Sequence, residues 1–158
     1  MKIFTGISLI ALFVIVSSSA IIQRPGSLRI NPADSLQAVR DQYIKQVSEA
    51  IKGKEQMAVD SVFKNLKVFG GFPAGNLLLA MNSWSRALGV TCEHCHTPSH
   101  WEDDSNPEKN IAREMSKMTS NITNEYLRKI PGMKNTKALI NCTSCHNGKL
   151  KPALRIEN

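Results

Sequence analysis

Every cysteine in the chain falls in one of two clusters, Cys92-Glu93-His94-Cys95-His96 and Cys142-Thr143-Ser144-Cys145-His146, and both have the form C-x-x-C-H. On a helical turn, positions i, i+3 and i+4 share a face, so two thiols and the adjoining imidazole point the same way. The spacing suits covalent haem attachment, in which the thiols bond the vinyl groups and the histidine reaches iron. A chain of 158 residues that carries two such groups has to build much of its core around them.

Other uses of paired cysteines weigh against this reading. Two C-x-x-C pairs also make structural zinc sites, and cysteines at i, i+3 in an exported protein can close small disulfide loops. Zinc gives no reason for a histidine after each pair, and the 46 residues between Cys95 and Cys142 exceed common ribbon spacing. No thioredoxin-like alternation of strand and helix surrounds either pair. The expectation is two covalently bound haem c groups, one tethered by Cys92 and Cys95 and one by Cys142 and Cys145. His96 and His146 are then iron ligands.

A sixth ligand decides between electron transfer and catalysis at an open iron. Methionine is the natural candidate, because a thioether sits on an apolar helix face without a charge to bury. Met57, Met81, Met115, Met118 and Met133 follow the N-terminal segment. Met81 is the first choice, since its helix ends just before the first cluster, although plain packing beside Leu77, Trp84 and Leu88 fits the same pattern. Met115 and Met118 lie three residues apart on one face, and spacing does not choose between them. His94 reads as surface within the attachment loop, and His100 ranks below methionine. Glu102-Asp103-Asp104 reads as solvated acid and not as a calcium site.

Periodicity places these residues on helices. Leu36, Val39, Tyr43, Val47 and Ala50 form one face of a helix opened by Asn31-Pro32-Ala33-Asp34-Ser35 and stopped by Gly53. A second helix runs from Pro73 to Leu88, with Gly89 as its end. A third opens at Asn106-Pro107, runs to about Leu127, and has Ile111, Met115, Met118 and Ile122 as its buried stripe. Val62-Phe63 and Val68-Phe69 are too short to count as strands. The fold class is all-α.

The N-terminus reads as an export signal: Lys2 precedes an uncharged apolar run from Ile3 to Ile22, and Ser18 and Ala20 place cleavage after Ala20. An uncleaved membrane anchor is the alternative. The expected divisions are a signal at 1–20, a linker and amphipathic helix at 21–60, and a dihaem domain at 61–158. Without the signal, 19 basic residues face 13 acidic ones. They are spread along the chain without interleaved aromatics, so nucleic acid is not expected. A basic surface could instead steer an acidic redox partner.

From about Val62 to Leu154 the sequence resembles the multihaem cytochrome subunit of photosynthetic reaction centres and its shorter relatives. The likeness rests on Val62-Phe63-Lys64-Asn65-Leu66, on Met81 followed by Ala87-Leu88-Gly89-Val90, and on Cys92 to His96. It continues through Ala112-Arg113-Glu114-Met115 and Cys142 to Gly148, with Pro152 beyond. The resemblance implies helix-turn-helix haem units with a methionine on the first helix as distal ligand. It pairs Met81 with His96 and Met115 with His146. With two motifs where the full subunit has four, the chain looks like one half of it. The function this implies is one-electron transfer between redox partner proteins, with a membrane electron-transfer complex among the candidates. The rival is a dihaem peroxidase-like oxidoreductase with one open iron, and a haem-based gas sensor is a third class.

Overall fold

The computed structural model describes residues 32–134 and 137–155; the expected signal, its cleavage point and the linker that follows it lie outside the described residues. The chain forms helices α1 (Pro32–Ala50), α2 (Val59–Val62), α3 (Ala74–Leu88), α4 (Pro107–Asn121) and α5 (Cys142–His146), with tight 3-10 turns at Cys92–His94 and Leu127–Lys129. No strand forms among the described residues, only isolated bridges at Ala58–Pro73 and Thr97–His100. The all-α expectation therefore holds. None of the described helices is long and apolar enough to cross a membrane.

Helix α1 starts with Pro32 at its first position, where the missing N–H costs nothing. Its half-buried face is Leu36, Val39, Tyr43, Ile44 and Val47, but Ala50 is exposed and Ile51 takes the buried place after it. Arg40 is buried on the same side, donating through Nη1 to Val90 O at 2.8 Å and through Nη2 to Gln37 Oε1 at 3.0 Å. A buried guanidinium needs such acceptors, and these tie α1 to the turn before the first cysteine motif.

Residues 58–73 form a closed loop whose ends meet. Val59 N–H donates to Phe72 O at 2.8 Å and Ala74 N–H to Met57 O at 2.9 Å. Val59 is fully buried at this junction. Helix α3 then runs to Leu88 and stops as expected at Gly89, whose φ of +67° is open to glycine and strained for other residues.

Helix α4 is capped by Asn106, whose Oδ1 accepts from Glu108 N–H at 3.0 Å while its Nδ2 donates to His94 O at 2.9 Å. Its regular part ends at Asn121, earlier than expected, and the path to Tyr126 is a wider π turn. Here Thr123 is buried, and its hydroxyl accepts from Ile140 N–H at 2.9 Å. The expected stripe is corrected: Ile111, Met115, Met118 and Ile122 are 47%, 43%, 45% and 36% exposed, while Lys109 and Arg113 are buried. The cations go inward because their heads find carbonyls and a carboxylate there, and the apolar stripe faces away from that wall of protein.

Helix α5 carries the second cluster, capped by a reciprocal pair in which Asn141 Oδ1 accepts from Ser144 N–H and Ser144 Oγ accepts from Asn141 N–H, both at 3.2 Å. It packs on α3 and touches α4. The crossing is a backbone contact: Gly148 N–H donates to Ala87 O at 2.8 Å, and a Cβ on Gly89 would lie 2.0 Å from Gly148 O. Only Ile51, Val59, Ala74, Leu77 and Ala87 make up the buried apolar core among the described residues. That is too thin a core to hold a domain of this size by protein contacts alone.

Candidate functional site

The apolar faces of α1 and α3 and the 58–73 loop do not close on one another. They enclose a cavity of about 320 Å³. Leu77, Met81, Trp84 and Leu88 line it from α3, Tyr43, Ile44 and Val47 from α1, and Phe63, Leu66, Val68 and Phe69 from the loop. Trp84 and Phe69 stack at a tilt with centroids 5.2 Å apart. Cys92, Cys95 and His96 reach the same cavity, so four of the expected site residues, Met81 among them, share one space.

The turn carrying the first cluster is set by local bonds. Cys95 and His96 N–H both donate to Cys92 O, at 3.3 and 3.0 Å, which brings the two thiols and the imidazole to one side. Both thiols are free and partly buried. Burial pushes the Cys92 thiol up, and burial followed by the nearby Glu108 carboxylate pushes Cys95 up to about 11. His96 Nδ1 donates to Trp101 O at 3.2 Å. That fixes the tautomer and leaves Nε2 as the lone-pair nitrogen. Burial, then the positive charge of Lys109, holds the imidazole below its ordinary value, so it is neutral near pH 7 and able to bind a metal.

The polar wall of the cavity was not anticipated. Lys109 Nζ donates to Trp101 O at 2.8 Å and Asp103 O at 2.7 Å. Arg113 Nη2 reaches Asn65 O at 3.2 Å, and Asp104 pairs with Arg113 at 2.9 Å, Lys67 at 2.7 Å and Lys109 at 3.3 Å. Hydrogen bonds from Arg113, then Lys67, hold the Asp104 carboxyl well below the usual carboxylate range. Asp104 is therefore a hub, where three acids in a row had read as solvated surface. Lys109 and Arg113 sit four apart with Ala112, on the face opposite the methionines, and that second periodicity was the available signal.

The second set is arranged differently. His146 Nδ1 donates to Lys149 O at 3.1 Å, which again leaves Nε2 available. Burial raises the Cys142 thiol, whereas Cys145 is exposed. Met115 and Met118 lie on the outward stripe of α4, the helix that α5 touches, and none of Met115, Cys142, Cys145 or His146 lines the first cavity. His94 is half-buried beside Glu108 at 3.6 Å, and His100 is exposed and off the cavity. No group of three metal-ligating side chains converges among the described residues, which counts against a zinc cluster built from both motifs.

The first cavity fits a tethered haem on the chemistry of its donors: two thiols, an imidazole with a committed tautomer, a thioether and apolar walls. Buried cations on one wall suit the two propionates. Asn82 Oδ1, buried on the cavity lining without a partner among the described residues, marks a further polar position. A helical protein with such a pocket has the features of a c-type cytochrome.

The profile of the family described as "Photosynthetic reaction centre cytochrome C subunit" matches residues 26–155, and the chain belongs to that family. It is 29% identical over 84 residues to cytochrome c-554 of Chloroflexus aurantiacus, covering 52% of this chain and 20% of that one. It is 28% identical over 119 residues to the photosynthetic reaction center cytochrome c subunit of Roseobacter denitrificans, covering 72% and 31%. The chain thus spans less than a third of either relative. Membership brings haem c as the covalently bound cofactor.

Proposed function

We propose that the chain is an exported dihaem c-type cytochrome that relays single electrons between redox proteins. The observation that carries this is the cavity shared by Met81, Cys92, Cys95 and His96. Cys92 and Cys95 tether the first haem, with His96 and Met81 on its iron; Cys142 and Cys145 tether the second, with His146 and Met115. When bound, haem supplies an iron that alternates between ferric and ferrous states. The protein's part is to hold two axial ligands, exclude water from the first group and set its potential. The relatives' names, which include a reaction center subunit, support a membrane electron-transfer complex as one partner.

Intact mass of the mature protein together with its optical spectrum tests this reading, because mass counts covalent haems and reports cleavage after Ala20. Two haems and a low-spin, six-coordinate spectrum are expected. Met81→Ala should open the first iron and lower its potential; an unchanged spectrum and potential would remove Met81 from the ligand set. Fast stoichiometric binding of carbon monoxide to the reduced wild-type protein would replace the six-coordinate carrier reading with one of its open-iron rivals, the peroxidase-like oxidoreductase or the gas sensor.

A further inference from the structure

The basic residues are scattered by position, but the balance of charge is not. Residues 32–125 hold ten basic and twelve acidic side chains, whereas residues 126–155 hold seven basic and none acidic. Within residues 32–155 the net positive charge therefore belongs to the segment that bears the second motif. It stays positive even when Glu157 and two haem propionates are set against it.

The fold fixes these charges beside that motif. Lys149 N–H donates to His146 O at 2.9 Å while His146 donates back to Lys149 O, so this lysine is held one turn from the imidazole, with Lys151 following. On the other side, the bond between Ile140 and Thr123 brings the run into α5 against the end of α4, just before Arg128 and Lys129. All four side chains are exposed. Arg128 and Lys129 are engaged with Asn124 at 2.9 Å and Glu125 at 2.5 Å, whereas Lys149 and Lys151 form no ion pair among the described residues. Around the first cavity the reverse holds, with Lys67, Lys109 and Arg113 all drawn onto Asp104.

The second motif is the one beside this charge: His146 and Lys149 are joined by two hydrogen bonds, whereas His96 shares its carbonyl with a lysine already drawn onto Asp104. A redox group flanked by uncompensated positive charge steers a negatively charged partner towards it and orients the encounter. We propose that the surface bearing Arg128, Lys129, Lys149 and Lys151 docks an acidic one-electron redox protein, which exchanges its electron at the second haem. One electron is lost by one protein and gained by the other, and no bond or proton changes place. The proposal rests on the dihaem reading above.

Stopped-flow reduction of the ferric holoprotein by reduced flavodoxin, an acidic one-electron carrier, tests it, with both haems first counted by intact mass. The bimolecular rate is expected to fall about tenfold or more between ~10 and ~300 mM ionic strength. Lys149→Glu combined with Lys151→Glu should lower the low-salt rate about tenfold and flatten the salt dependence. Lys52→Glu combined with Lys54→Glu, the same charge change on the α1–α2 connection, should stay within about twofold. Lys149→Gln alone gives a smaller slowing in the same direction should the double reversal not fold. Equal slowing by both double variants would assign the effect to net charge, and no slowing by either would end the docking proposal. Loss of binding to anionic lipid vesicles in the Lys149/Lys151 variant, with its flavodoxin rate unchanged, would give the surface to a membrane instead. Fewer than two haems by mass would defeat the dihaem reading itself, whatever the rates.

Discussion

The carbonyl of Trp101 accepts two donors, His96 Nδ1 and Lys109 Nζ, while the matching carbonyl of Lys149 receives only His146 among the described residues. An ammonium on the shared carbonyl drains the electron density the imidazole N–H would otherwise meet. In the proposed first haem site the imidazole would then be a weaker donor to iron, which would disfavour the ferric state and raise the potential. Lys109→Met should lower the potential of the first haem by roughly 40 mV, taking about 1 kcal/mol for one hydrogen bond and one electron. Lys109→Arg should keep most of it, and the second haem should not move. A spectroelectrochemical titration resolves the two. The four-residue spacing of Lys109 and Arg113 was only a hint of this part, because a lysine on a helix of mixed charge reads as solvated until its acceptors are known.

At the level of elements, the ends of α3 were legible and the orientation of α4 was not. Pro73 and Gly89 act through their own backbone preferences, so local sequence is enough to place them. Which face of a helix turns inward depends on what it meets. Two periodic faces share α4, one with Ile111, Met115, Met118 and Ile122 and one with Lys109, Ala112 and Arg113; sequence reasoning took the apolar face as a buried stripe and gave the other face no part. On the dihaem reading the partner of that face would be a cofactor and not another helix, in keeping with methionines that the protein leaves 43% and 45% exposed. Met115→Ala should then convert the second haem to a five-coordinate, carbon monoxide-binding form, whereas Met118→Ala should alter packing and leave the spectrum low-spin. The opposite result assigns Met118. The wide turn after Asn121 had no signal of its own, since it coincides with the bond between Thr123 and Ile140, seventeen residues away.

Over the whole molecule, the two motif-bearing segments meet where α3 ends. Gly89 needs to be glycine for two reasons, its φ of +67° and the approach of Gly148 O to 2.0 Å from where a Cβ would stand. Gly89→Ala should cost more than about 2 kcal/mol in denaturant unfolding of the holoprotein, because backbone cannot yield as a flexible side chain can. Gly70→Ala, where a Cβ meets nothing within 4 Å, should stay within about 0.5 kcal/mol. The sequence marks Gly89 as a helix end and Gly148 as part of the second motif's surroundings, but a contact between residues 59 positions apart is visible only in the fold.

All residues named on the first cavity fall between Tyr43 and Arg113, whereas the second set requires both α4 and residues 142 to 149. A chain that emerges N-terminus first can thus fold the walls of one pocket while the other cysteine pair is still being synthesised. On the dihaem reading maturation would acquire an order: the first haem would be enclosed early and the second received on a surface already built, with the crossing at Gly148 as the closing step.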